Sequence, residues 1–166
     1  MPRLALYLLL CAALLLSACS SPSYRFKPIP GKTGVLNRGY AVPPEKAPRI
    51  VHAAIEAGNR ICGMPYRRGG GHGRSMDTAY DCSGATSYIL REAGLMEDSM
   101  PSKGFRRYGK SGEGDWISVY AKSGHVFLVV AGLRFDTGWN DAPEGPRWST
   151  LSRPADGCVI RHPAGL

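Results

Sequence analysis

Apolar residues keep a helical period through "PRIVHAAIEAGNRICG" (48–63). Ile50, Val51, Ala54, Ile55, Gly58, Ile61 and Cys62 share one face there. Pro48 suits a first helical turn and Gly63 suits an end, so a helix is predicted between them. A second helix is predicted from about Cys82 to Ala93, with Asp81 as its N-cap and Gly94 as its stop. Cys82, Ala85, Thr86 and Ile89 lie on one side of it, which turns the cysteine toward the body of the domain. Downstream the period changes. "DWISVYA" (115–121) leads through "KSG" into "HVFLVVAG" (125–132), which is apolar nearly throughout, as a central strand is. "LRFDTG" (133–138) reads as its hairpin partner and "CVIRHP" (158–163) as a last short strand. Helices first and antiparallel strands after predict an α+β fold, with N-terminal helices packed on a small antiparallel sheet.

The stretches between carry no period. Residues 20–45 are rich in Pro, Gly and Ser and read as a tether. The segment "MPYRRGGGHGRSMDTAY" (64–80) is a glycine-dense loop whose three consecutive glycines permit close backbone approach. Residues 96–114 are polar and turn-rich, and "WNDAPEGPRWSTLSRPADG" (139–157) reads as a long loop. Trp139 and Trp148 fall in it and are expected to pack it or shape a cleft.

The N-terminus sets the compartment. Arg3 precedes an apolar run from Leu4 to Leu16, and Ser17 and Ala18 precede Cys19. That run is about 13 residues, short for a membrane span, and reads as an export signal. "LSAC" resembles the bacterial lipobox, with Cys19 as the acylated first mature residue; Ser20 after it favours an outer membrane where one exists. The expected organisation is therefore a signal peptide over 1–18, a flexible tether over 19–46 and a catalytic domain over 47–166. The protein is expected in the cell envelope, anchored to the membrane through N-terminal lipid.

A formal charge of +8 is spread over scattered arginines with no long basic run. Nucleic acid is a poor fit; anionic surfaces and carboxylate-rich substrates fit better. Of five cysteines, Cys11 leaves with the signal and Cys19 takes lipid. Cys62, Cys82 and Cys158 remain, an odd number that points to a free thiol in an oxidising space. Cys62 and Cys158 either pair or stay reduced.

The candidate chemistry centres on "DCSG" (81–84). A helix N-terminus lowers the pKa of a thiol placed on it, and the thiolate is the nucleophile. Such a nucleophile needs a base within hydrogen-bond reach. His125 opens the central strand beside Gly124 and is the candidate. No zinc-ligand spacing appears among cysteines and histidines, so neither a metal nor a cofactor is expected.

The segments "PYRRGG" (65–70), "DCSG" (81–84), "GDWISVY" (114–120) and "GHVFLVVAG" (124–132) occur in an order that resembles the NlpC-type bacterial cell-wall cysteine peptidases. The resemblance covers about residues 48–140 and implies a papain-like α+β fold. It implies Cys82 as nucleophile, His125 as base, and Tyr66 as a hydroxyl near the oxyanion. For the third member Asp136 competes with His162. A two-residue turn at Gly132 and Leu133 sets Asp136 opposite Val129, on the face of His125 but further along; a bulge or another turn is needed to join them. Arg67, Arg68 and Ser83 are candidate substrate contacts, the arginines for stem-peptide carboxylates. Arg68 replaces the aromatic usual in the family, and Phe127 adds bulk after the histidine.

The implied activity is hydrolysis of amide bonds in peptidoglycan stem peptides, in this family most often between D-glutamate and a diamino acid. A monomer is expected. The alternatives are a papain-like amidase or acyltransferase acting on another envelope substrate, or a non-catalytic envelope-binding lipoprotein.

Overall fold

The structure, a computed structural model, describes residues 22–138 and 144–166. The expected signal peptide, Cys19 and Trp139 lie outside the described residues. Two helices form where the periodicity predicts them: α1 over Arg49–Ile61 and α2 over Cys82–Glu92. A short α3, Ser102–Phe105, interrupts the stretch read as turn-rich. The strands are β1 (Ser23–Tyr24), β2 (Val35–Asn37), β3 (Tyr40–Val42), β4 (Lys110–Ser111) and β5 (Ile117–Lys122). They continue with β6 (His125–Val130), β7 (Leu133–Asp136), β8 (Arg147–Ser149), β9 (Arg153–Pro154) and β10 (Val159–His162). Six of them make one antiparallel sheet in the order β4-β10-β5-β6-β7-β8. The α+β reading holds.

Strand alternation divides the sheet into two faces. Val119, Ala121, Val126, Leu128, Val130, Leu133 and Phe135 turn inward onto Val51, Ile55 and Ile61 of α1 and Ile89 of α2, forming the main core. Gly58 of α1 lets Trp148 of β8 come close, since a Cβ there would stand 2.4 Å from its ring. Trp148 also meets Phe135 edge-on at 4.7 Å, so this tryptophan packs the core. The segment read as a long loop thus contributes β8, which pairs with β7. On the outer face Tyr120 stacks on Phe127, centroids 4.7 Å apart, and Tyr24 and Ala155 cover them.

Two sequence expectations are corrected here. The first is the flexible tether, because residues 22–46 fold onto the domain. β1 pairs with β9, Tyr24 is buried, and its hydroxyl donates to the Gly132 carbonyl at 2.8 Å. β2 and β3 form a hairpin, and Asn59 of α1 brackets Ala41 of β3, accepting from its N–H and donating to its carbonyl. Prolines and glycines here shape turns over an outer face that must be covered.

The second is the register of the β6–β7 hairpin. The turn is Ala131–Gly132, one residue earlier than expected, and both residues take positive φ, 46° and 73°. That is the primed turn whose twist matches a hairpin. Leu128 faces Phe135 and Val129 faces Arg134, so the register carries Asp136 toward Phe127, diagonally next to His125.

Candidate active site

The site begins at the mouth of α2. Asp81 caps the helix: Oδ1 accepts from the Gly84 N–H at 2.7 Å and from the Ser83 hydroxyl at 2.9 Å, and Oδ2 accepts from the Gly69 N–H at 2.8 Å. His72 Nε2 lies 3.2 Å from Oδ1. Burial pushes this carboxyl up, but the Gly84 and Gly69 amides, the Ser83 hydroxyl and His72 outweigh it and hold it below the usual carboxylate range. Gly70 lies directly on the first helical turn, since a Cβ on Gly84 would meet its carbonyl oxygen at 1.9 Å. The glycine-rich loop therefore grips the helix start, and Cys82, its first residue, is fixed there as a half-buried free thiol.

The base arrives from the sheet. β5 and β6 are joined through Ser123 and Gly124, with Lys122 paired to His125, and Gly124 takes φ 93° in that turn. This leaves His125 at the open end of β6. Its Nε2 lies 2.9 Å from Asp136 Oδ1, and its ring stands close enough to Cys82 for the thiol to shift its pKa. With Nε2 on the carboxylate, Nδ1 is the nitrogen open to the sulfur. Burial pushes the imidazole down, yet the hydrogen bonds and charges of Asp136 and Cys82 prevail and raise it to about 9.

Asp136 is buried and fully engaged. Oδ1 also accepts from the Thr137 N–H at 2.8 Å, and Oδ2 lies 2.7 Å from Arg153 Nη1 and 3.8 Å from Arg134 Nε. Its two oxygens thus do separate work, one toward the imidazole and one toward arginine.

Of the residues singled out in sequence, Cys82, His125 and Asp136 come together. His162 does not join them: it sits on β10, with β5 between it and β6, and its Nδ1 lies 3.0 Å from the Gly112 carbonyl. Tyr66 is half-buried, bridged to Tyr80, and close enough to feel the charge of Cys82. Burial first, then Cys82 and Asp81, raise its hydroxyl's pKa, against the exposed Arg68. Arg67 instead forks onto both oxygens of Asp77 at 2.8 Å, and Ser83 is buried in the Asp81 cap. Neither is a free surface group. Cys62 and Cys158 are both unpaired: Cys62 packs on the main core, Cys158 on the outer-face cluster. Among the described residues no cluster of three or more His, Cys, Asp or Glu is placed to hold a metal.

Sequence reasoning missed His72 and Arg153. His72 stands in a loop with no period to place it. Arg153 belongs to a two-residue strand whose partner lies at the other end of the chain. A cleft of about 270 Å³ lies elsewhere, between residues 23–33 and Glu113–Trp116, and includes neither Cys82 nor His125.

No protein-family model matches the chain, and no curated protein matches its sequence. Solved structures do. The chain is similar to the P60 domain of the M. avium subspecies paratuberculosis antigen MAP1204, with a TM-score of 0.50 and 19% identity over 68% of this chain and 94% of that one. Rv1477, a hypothetical invasion protein of Mycobacterium tuberculosis, matches with a TM-score of 0.50 and 21% identity over 68% of this chain and 62% of that one. A mutated form of the resuscitation promoting factor interacting protein RipA matches with a TM-score of 0.50 and 19% identity over 78% of this chain and 72% of that one. At these identities the likeness establishes architecture: the chain has the fold of the P60 domain, the α+β arrangement that its sequence resemblance implies.

Proposed function

We propose that this protein is a cysteine hydrolase of the cell envelope that cleaves amide bonds in peptidoglycan stem peptides. One observation carries the reading: His125 is hydrogen-bonded to the buried Asp136 carboxylate and has Cys82 as its other neighbour. Such an arrangement supports nucleophilic acyl transfer. The Cys82 sulfur attacks the amide carbonyl, and His125 gives its proton to the departing amine. A thioacyl-enzyme remains, and water deprotonated by His125 releases the acid and restores the thiol. Asp136 orients the ring and stabilises its charged form. The Cys82 N–H at the helix start and the Tyr66 hydroxyl are the donors assigned to the oxyanion. Arg68 is the arginine left to meet a stem carboxylate, since Arg67 is engaged by Asp77.

The resemblance across "PYRRGG", "DCSG" and "GHVFLVVAG" supports the substrate class. The "LSAC" signal supports lipid attachment at Cys19 and an envelope location, and we take the working unit to be a monomer. Digestion of defined peptidoglycan, read by mass spectrometry, tests the reading. Wild type is expected to release cleaved stem peptides, and Cys82→Ala to release none. Products cut outside the stem would point to another amidase. Sacculus binding without products in either protein would overturn hydrolysis.

A further inference from the structure

Behind Asp136, the outer face of the sheet carries arginines that the reaction scheme does not use. Asp136 Oδ2 is held by Arg153 Nη1 at 2.7 Å, and the same nitrogen donates to the Gly138 carbonyl at 3.0 Å. The Arg153 guanidinium lies 5.8 Å from the centre of the Phe127 ring. Arg153 is about one quarter exposed, so this pair is far less screened than a surface ion pair. Its backbone is placed by the chain's N-terminal segment: β1 pairs Tyr24 with Arg153 and Ser23 with Pro154. Tyr24 is itself pinned to Gly132, the turn residue that sets the β6–β7 register. The Arg134 guanidinium, near Asp136, lies 5.9 Å from the centre of the Tyr24 ring.

Resting on the hydrolase reading above, we propose that Arg153 is the positioning residue of the site, and that the segment entering the domain at Ser23 and Tyr24 sets it. Oδ1 is shared by His125 and the Thr137 N–H, and with Oδ2 free the carboxylate could still pivot about Oδ1. With Oδ2 held by arginine, Oδ1 is fixed on His125 Nε2, and Nδ1 is thereby aimed at the sulfur. Misplacement of a reacting group by about 1 Å costs on the order of a hundredfold in rate, so loosening this hold lowers turnover and leaves binding alone.

The full chain in detergent tests this through Arg153→Gln, Arg153→Lys and Tyr24→Ala. Arg153→Gln is expected to lower kcat on stem peptides by about 10–100-fold with KM unchanged. It is also expected to abolish the strongly deshielded ring N–H proton of the His125–Asp136 hydrogen bond in the proton NMR spectrum. Arg153→Lys, which keeps the charge, is expected to restore both, and Tyr24→Ala to give an intermediate loss. Wild-type kcat and an intact N–H signal in Arg153→Gln, with only the melting temperature lowered, would overturn the proposal. If Arg153→Gln does not fold, Tyr24→Ala decides, since wild-type kcat with an intact N–H signal there overturns the proposal equally. Should the wild type digest no peptidoglycan, the hydrolase reading fails by itself. The N–H signal and the rate of Cys82 alkylation by iodoacetamide, located by peptide mapping, still decide the role of Arg153.

Discussion

The two faces of the central sheet divide the labour of the molecule. The inner face is mostly apolar: Leu128, Val130 and Phe135 meet the helices. The outer face of the same strands carries His125, Asp136 and Arg134 under Tyr24 and Arg153. Each fully buried aliphatic side chain on the inner face contributes about 2 kcal/mol by removal from water. The outer face buries a smaller cluster, Tyr24, Tyr120, Phe127 and Ala155, and also fixes where charges stand. The main core and the base with its carboxylate lie on opposite sides, one residue apart along β6, and Cys82 meets the imidazole from the first turn of α2.

That division can be broken from either side. The largest expected effect is on the outer face: Asp136→Asn should lower kcat by about 10⁴-fold, because the neutral amide no longer holds the ring in its working orientation. Steady-state kinetics beside an unchanged circular dichroism spectrum would check it. On the inner face, Leu128→Ala should destabilise the fold by about 3 kcal/mol through lost burial and the cavity left behind. The adjacent outer-face Val129→Ala should cost only about 1 kcal/mol, and urea unfolding of both variants compares the faces directly.

The pH dependence sharpens the comparison. His125 is raised from 6.5 to about 9 by Asp136 and Cys82 against the opposing effect of burial. Its stabilising contribution is therefore fully present below pH 6.5 and is lost as pH rises through about 9. The urea-midpoint difference between wild type and His125→Gln should shrink across that window, whereas the Leu128→Ala difference should persist. An NMR titration of Cys82→Ala should find the imidazole lower than in wild type. The smallest effect is expected at Arg67, whose pair with Asp77 is exposed. Arg67→Ala should cost less than about 1 kcal/mol, with turnover within about twofold. A tenfold loss of activity there would instead put this guanidinium on substrate.

Local chemistry made much of this legible in sequence. The cap at Asp81, the stop at Gly94 and the apolar face of α1 are short-range features, and each lies where the pattern predicts it. What escaped is long-range. Ala131 in a left-handed conformation gives no sequence signal comparable to Asn-Gly, so the turn was expected one residue late and Asp136 too far from His125. Composition over 22–46 reports turns but not whether turns pack; they cover the outer face through Tyr24 and α1 through Ala41. β9 is two residues long, below any period, so nothing near Arg153 announces that it reaches Asp136.

The close docking of Pro22 has a geometric consequence for reach. Its carbonyl accepts from the Ala155 N–H at 2.9 Å, so the first described residue is already fastened to the body. On the anchoring proposed at Cys19, three residue steps separate the lipid-bearing residue from that fastening and span at most about 10 Å. With a body roughly 40 Å across, such a short leash would confine the proposed hydrolase to the layer of wall nearest the bilayer.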